Sequence, residues 1–320
     1  MSAQTLGPVK LATIDAHAAL RRTLEQLGSV VLDKEPQLKL ALACVLARGH
    51  LLIEDLPGVG KTTLARAMAV TLGLAYKRIQ FTSDMLPADI IGVSVYRRDR
   101  EEFEFQPGPV FSELLLADEI NRATPKAQSA LLEAMQENQV SVDGVTMPLP
   151  APFHVIATQN PTEQVGTFAL PESQLDRFLM RIELGYPSAL AERALLEGHD
   201  SAERLGAMVP VLTGDDVRSL QEHAAAVPVS ESIIDYLQAI VRFTREQNDF
   251  VAGLSPRGAI ALRRAAQALA LIEGRQGVYP DDVQLAAPAI LAHRLRPRQP
   301  QHARSAFEMA RDVIEAVPIP

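Results

Sequence analysis

Leu51-Leu52-Ile53-Glu54-Asp55-Leu56-Pro57-Gly58-Val59-Gly60-Lys61-Thr62-Thr63 is the stretch on which the fold turns. An apolar run brings the chain in as a strand and ends in a turn whose glycines let backbone N–H groups approach an anion. A helix opening at Lys61-Thr62 aims the positive end of its dipole at the same point. The stretch reads as a phosphate-binding loop, with Pro57, Gly58, Val59, Gly60, Lys61, Thr62 and Thr63 around the phosphates. Lys61 would pair with the β- and γ-phosphates and the Thr62 hydroxyl would ligate Mg2+. The residue six before the lysine is Asp55, where the strict pattern has glycine, and its carboxylate is expected to point away from the phosphates. A plain Gly/Pro turn between strand and helix is the alternative reading, and the rest of the chain weighs against it.

Further on, Leu114-Leu115-Leu116-Ala117-Asp118-Glu119 is an apolar run closing on two adjacent carboxylates. It predicts a buried strand, and because strand side chains alternate, the two acids have different tasks. Asp118 would enter the Mg2+ shell, while Glu119 would orient and deprotonate the attacking water. Two acids at a strand end could instead cap the next helix; the phosphate loop upstream favours the hydrolytic reading. Another apolar strand, Phe153 to Thr158, ends at Gln159-Asn160-Pro161, where the Asn160 amide can reach the γ-phosphate or the attacking water.

Periodicity supplies the frame around these pieces. Residues 1–10 are expected to fray. Ile14, Ala18, Leu20, Leu24 and Leu27 predict a helix stopped at Gly28, and a second helix spans 36–47. Leu64, Ala67, Met68 and Leu72 form one face of the helix after the phosphate loop, which Gly73 ends. Tyr76 to Phe81 alternates as a strand, and 82–91 reads as a short helix containing Pro87. Val93 to Tyr96 and Glu102 to Phe105 alternate about Arg97-Arg98-Asp99-Arg100-Glu101 as a hairpin whose charged tip is a solvated turn or, less simply, a binding site. Asp143-Gly144 marks a second hairpin. His154 reads as a satisfied core residue and Cys44 as a small buried side chain.

After Met180 to Leu184, Gly185 and Pro187 mark a boundary beyond which the pattern is helical. The expected organisation is an α/β nucleotide-binding domain over 1–186, with inserts near 93–105 and 139–147, and a helical domain over 187–320. Arg294, Arg296, Arg298 and Arg304 form a basic patch, read as a solvated connector with a partner site as the alternative.

The 320 residues are 47% apolar, enough for a packed core. Lys plus Arg is 31 and Asp plus Glu 39, a net charge of −8 that argues against bulk electrostatic binding to nucleic acid or anionic membrane. The single cysteine excludes an internal disulfide, and no histidine pair has metal-binding spacing. No apolar run approaches the roughly 18 residues of a membrane span. The N-terminus lacks a signal-type apolar core. The expectation is a soluble, cytoplasmic protein.

Several longer stretches resemble the MoxR branch of the AAA+ ATPases: Leu115 to Arg122, Gln128 to Met135, Ala157-Thr158-Gln159-Asn160-Pro161, Leu170 to Phe178, and Leu254-Ser255-Pro256-Arg257. The resemblance runs from about Ser29 to Arg296. It implies a five-stranded parallel sheet between helices followed by an all-helical lid, with ATP and Mg2+ as cofactors. Asn160 looks like the sensor-1 residue, Arg177 like the arginine finger and Arg257 like the sensor-2 arginine, which joins them to Glu119 as catalytic candidates. The hairpin at 93–105 resembles the branch's helix-2 insert. Leu32-Asp33-Lys34 departs from the Gly-Gln that relatives often carry, which leaves the base contacts unassigned. The resemblance further implies a ring, most commonly a hexamer. It also implies a chaperone-like action on a protein client or in metal-cofactor insertion, with a von Willebrand factor A domain protein as partner. A magnesium-chelatase-like subunit and a nucleic-acid motor are the alternatives. The acidic balance and the absence of basic or aromatic residues at Asp143-Gly144 count against the motor.

Overall fold

The computed structural model describes residues 13–161, 166–197, 201–298 and 305–319. Residues 1–10 and Arg304 lie outside them. The strands are β1 (Leu51–Glu54), β2 (Tyr76–Gln80), β3 (Gly92–Arg97), β4 (Glu102–Pro107), β5 (Leu114–Asp118), β6 (Gln139–Val142), β7 (Val145–Pro148), β8 (His154–Gln159) and β9 (Met180–Ile182). Among them run α1 (Thr13–Val30), α2 (Glu35–Leu46), α3 (Lys61–Thr71), α4 (Pro87–Ile91), α5 (Pro125–Glu137) and α6 (Glu172–Leu175). A helical region follows: α7 (Ala189–Leu196), α8 (Ser201–Ala207), α9 (Gly214–Ala226), α10 (Glu231–Glu246), α11 (Pro256–Ile272), α12 (Pro280–Leu291) and α13 (Ala306–Ala316).

Five strands form one parallel sheet in the order β2-β5-β8-β1-β9. The apolar runs that predict β1, β5 and β8 are continuous because both faces of the sheet are covered there, whereas β2 and β9, at its two edges, carry polar residues among the apolar ones. Leu52, Leu115, Ala117, Val155 and Ala157 face one core with α5. Leu51, Ile53, Leu114, Leu116 and Ile156 face the other, which α2, α3 and the helices from α9 onward share without a break. The helical region is therefore packed onto the back of the sheet rather than closed on a core of its own. The parallel arrangement places every strand's C-terminal end at one edge, where the phosphate loop leaves β1.

Local departures from the sequence reading have physical causes. α1 runs through Gly28 to Val30. A mid-helix glycine costs about 1 kcal/mol, less than the roughly 1.5–3 kcal/mol gained by burying each large side chain, and Leu27 and Val30 are both buried. α4 starts only at Pro87, whose missing N–H suits the first helical position. In the hairpin β3–β4, Tyr96 lies opposite Phe103 with ring centroids 5.3 Å apart, and the two side chains are 49% and 73% exposed. This insert thus presents an aromatic face as well as a charged tip. The basic patch divides. Arg294 is buried, not solvated: its guanidinium bonds the Asp176 carboxylate at 2.7 Å and the carbonyls of Phe178, Leu179 and Ile290. A five-donor fork satisfied in this way makes burial tolerable. Arg298 donates to the Phe250 carbonyl, and Arg296 pairs with Glu172 at the surface.

His154 and His50 tie the sheet to its surroundings. His154 Nδ1 lies 3.1 Å from the Gly49 carbonyl and its Nε2 lies 3.0 Å from Gln221 Nε2 on α9, while His50 Nδ1 accepts from Val155 N. Burial pushes both imidazoles down, His50 to about 3 and His154 to about 4. Folding then favours the neutral form. The stability this contributes is full above the ordinary value of 6.5 and is lost as pH falls through the window between 6.5 and the folded values. Each histidine steepens the loss by up to about 1.4 kcal/mol per pH unit. Urea denaturation at pH 7 and pH 5 should show the loss, and His154→Gln should flatten it. Equal unfolding free energies at the two pH values would refute this account.

Candidate active site

At the end of β1 the chain turns through Gly58 at φ 85° and Gly60 at φ 95°. Only glycine adopts such angles without strain, and an added Cβ at either would meet nothing. Gly60 caps α3, so the first N–H groups of that helix open onto the loop. The Lys61 ammonium donates to the Asp55 carbonyl and, at 3.4 Å, to that of Gln159 at the end of β8. Partial burial lowers its pKa, and the charges of Asp55, Asp118, Glu119 and Glu54 oppose that shift. The cation expected to grip phosphate therefore already lies in the field of the acids expected to serve the metal and the water.

Asp55 explains its own departure from glycine. Its side chain is buried and turned back into the protein: Oδ1 accepts from Leu56 N at 2.7 Å, and Oδ2 accepts from Leu184 N and Gly185 N at 2.6 Å each. The carboxylate pins the segment after β9 to the start of the loop. A glycine could not do this.

Asp118 ends β5, with Oδ1 accepting the Thr158 hydroxyl at 2.6 Å. Its Oδ2 receives Arg78 Nη2 at 2.6 Å and Nε at 3.2 Å. Glu119 lies just past the strand in left-handed backbone, φ 57° and ψ 48°. This kink, rather than strand alternation, separates the two acids. The Glu119 carboxylate lies 3.2 Å from Arg122 Nε and accepts from Gln80 Nε2 at 3.2 Å, and its backbone N–H donates to Thr158 Oγ1. Neither acid caps the next long helix, because Thr124 does so by accepting from Ala127 N.

Asn160 is buried directly after β8, beside the Gln159 carbonyl that meets Lys61; its own carbonyl accepts from Asn121 Nδ2 at 3.4 Å. Lys61, Asp118, Glu119 and Asn160 therefore share one edge of the sheet. Arg177 and Arg257 do not join them. Arg177 lies before β9, at the opposite edge, where the next backbone N–H but one, that of Leu179, donates to the His50 carbonyl ahead of β1. There Arg48, Arg177, Arg257, Arg264 and Arg294 border a cavity of about 510 Å³, with Asp176 accepting from Arg294 and 3.8 Å from Arg257. β1 alone, at about 3.3 Å per residue, keeps the two edges on the order of 10 Å apart.

The donor set at the phosphate edge fits Mg2+. Among the described residues no group of three or more His, Cys, Asp and Glu side chains forms a metal cage. Mg2+ bound to a nucleotide needs only one or two protein oxygens beside phosphates and water; the Asp118 carboxylate and Thr62 hydroxyl would supply them. Asn121 and Arg122, which from sequence could either contribute to the site or start the following helix, lie against Asn160 and Glu119 respectively. The polar groups that sequence reasoning missed are Arg78, Gln80 and Thr158; the signal of the first two, a polar alternation on β2, becomes legible only once β2 is known to lie beside β5.

A phosphate loop leaving an inner parallel strand, β1, with paired acids at the end of β5, one strand removed across β8, defines a P-loop nucleoside triphosphatase. Residues 50–180 match the ATPase family associated with various cellular activities (AAA), and residues 242–317 match the AAA lid domain. The chain is 46% identical to YeaC of Bacillus subtilis (strain 168) over 96% of each chain. It is 43% identical to the chaperone MoxR1 of Mycobacterium tuberculosis over 86% of this chain and 75% of that one. A crystal structure of a candidate ATPase from Cytophaga hutchinsonii superposes with TM-score 0.88 at 35% identity, covering 96% and 97% of the two chains. The chain belongs to the MoxR family of AAA ATPases, and its reaction is ATP hydrolysis.

Proposed function

We propose that this ATPase couples Mg·ATP hydrolysis to chaperone-like remodelling of a protein client, working as a ring of identical subunits in the cytoplasm. Lys61 and the loop amides bind the phosphates, Thr62 and Asp118 hold the metal, and Glu119 deprotonates the attacking water with Asn160 beside it. The observation that carries the ring is the separation of Arg177 and Arg257 from Lys61 within one chain. A cavity bordered by five arginines and one acid suits the phosphates of a nucleotide held by a second copy. Such guanidinium groups stabilise charge on a transferring phosphoryl group.

The chaperone name of a 43% identical relative supports a protein client, and resemblance to the family suggests a von Willebrand factor A domain partner. The exposed Tyr96–Phe103 pair is the contact expected for it. A Glu119→Gln form held in ATP should retain a purified von Willebrand factor A domain protein on size exclusion and release it in ADP. Tyr96→Ser with Phe103→Ser should weaken retention while leaving basal hydrolysis within about twofold, since the pair sits on a separate two-stranded sheet that does not carry the phosphate-binding strands. Retention indifferent to nucleotide would overturn the reading.

A further inference from the structure

Both oxygens of the Asp118 carboxylate are engaged by the protein itself. Thr158 takes Oδ1 from within the sheet, and the Arg78 guanidinium takes Oδ2 with two donors, at 2.6 and 3.2 Å. The pairing follows from topology. β2 lies beside β5 with Arg78 opposite Leu116 and Gln80 opposite Asp118, so two side chains on one face of β2 meet the two acids in turn: Arg78 on Asp118, Gln80 on Glu119. The Asp118 side chain is 11% exposed, whereas Arg78 is 45% exposed and has solvent to swing into.

An Mg2+ ion binds a carboxylate oxygen at about 2.1 Å. At that distance from Oδ2 it would meet the guanidinium nitrogens now on that oxygen, cation against cation. Oδ1 is held by Thr158, fully buried on β8, whereas the partner of Oδ2 is a half-exposed side chain, so Oδ2 is the oxygen that an arriving cation can free. The geometry points to a competition: Arg78 and the magnesium ion exclude one another from Asp118 Oδ2, and Arg78 thereby sets the magnesium concentration the site requires. The inference rests on the reading of Asp118 as a metal-shell residue. Arg78 neutralises a largely buried carboxylate that would otherwise stand beside Glu119, and yields it when a stronger cation arrives with the nucleotide.

The test is metal binding, read without turnover. Mn2+ is titrated into the ADP complex and followed by electron paramagnetic resonance, with Mg2+ displacing it to give the Mg2+ affinity. Arg78→Gln should lower the half-saturating Mg2+ concentration about fivefold or more. Arg78→Lys, whose single ammonium pairs less well than the fork, should give a smaller shift in the same direction. ADP affinity in EDTA should stay unchanged, and circular dichroism melting checks the fold. If Arg78→Gln is unstable, the Lys variant decides by the same criterion. A half-saturating concentration that is unchanged or raised overturns the competition. Asp118→Asn separates the two readings. If it removes metal binding while the Arg78 variants shift nothing, only the competition fails. If it leaves metal binding intact, the metal role of Asp118 fails and the competition with it.

Discussion

Glu119→Gln is expected to bind ATP about as well as the unaltered protein and to hydrolyse it at roughly a hundredth to a ten-thousandth of the rate, the range for loss of a positioned general base. The amide keeps the shape of the carboxylate and its place past β5 but cannot take a proton from water. Lys61→Ala should fail earlier, at binding. A hydrogen bond to a charged group contributes about 1.5–3 kcal/mol, so losing the ammonium should weaken ATP by roughly ten- to a hundredfold. The effect should persist at saturating Mg2+, because Lys61 lies in the field of four carboxylates that would otherwise oppose a polyanion there. Nucleotide titration and phosphate release on both variants separate the two steps. Near-normal turnover in Glu119→Gln would remove that residue from the base role.

Much of the sheet was legible because buried parallel strands write continuous apolar runs. Leu51 to Ile53, Leu114 to Ala117 and Val155 to Ala157 are such runs, and each ends on a residue of the site. The phosphate loop was legible for a similar reason, since Gly58 and Gly60 stand where no other residue adopts the backbone angle. The partners of the acids were not. Arg78 and Gln80 look like the outward residues of an ordinary strand until β2 is placed beside β5, and that neighbour relation is set by tertiary packing. Arg294 was misread because a charged residue among prolines and glutamines has the composition of a surface segment. Its burial depends on Asp176 and on three carbonyls, those of Phe178, Leu179 and Ile290, two of them distant in sequence. Asp55 shows the converse: a motif violation in sequence becomes a structural joint once the amides of Leu184 and Gly185 are seen to point at it.

Arg177→Ala and Glu119→Gln should each be nearly inactive alone, and mixing the two should restore activity. Within one chain Arg177 stands at the far edge of the sheet from Lys61, beside Arg257 and the buried Arg294. If Arg177 reaches a phosphate in a neighbouring copy, its loss removes a transition-state contact worth about 10³–10⁵ in rate for known fingers. Every interface of either pure ring then lacks one essential group. In a mixed ring an Arg177→Ala subunit keeps its own Glu119 and can receive Arg177 from a Glu119→Gln neighbour. In an equal random mixture about a quarter of the interfaces in a cyclic ring become whole. Phosphate release should therefore rise well above either parent, toward that fraction of the unaltered rate, and only after conditions that allow subunits to exchange. Exchange is followed independently by energy transfer between labelled subunits. If the labels mix and activity stays at the level of the parents, Arg177 acts within its own chain or through the stability of the Asp176–Arg294 cluster, and the ring is left without its proposed contact.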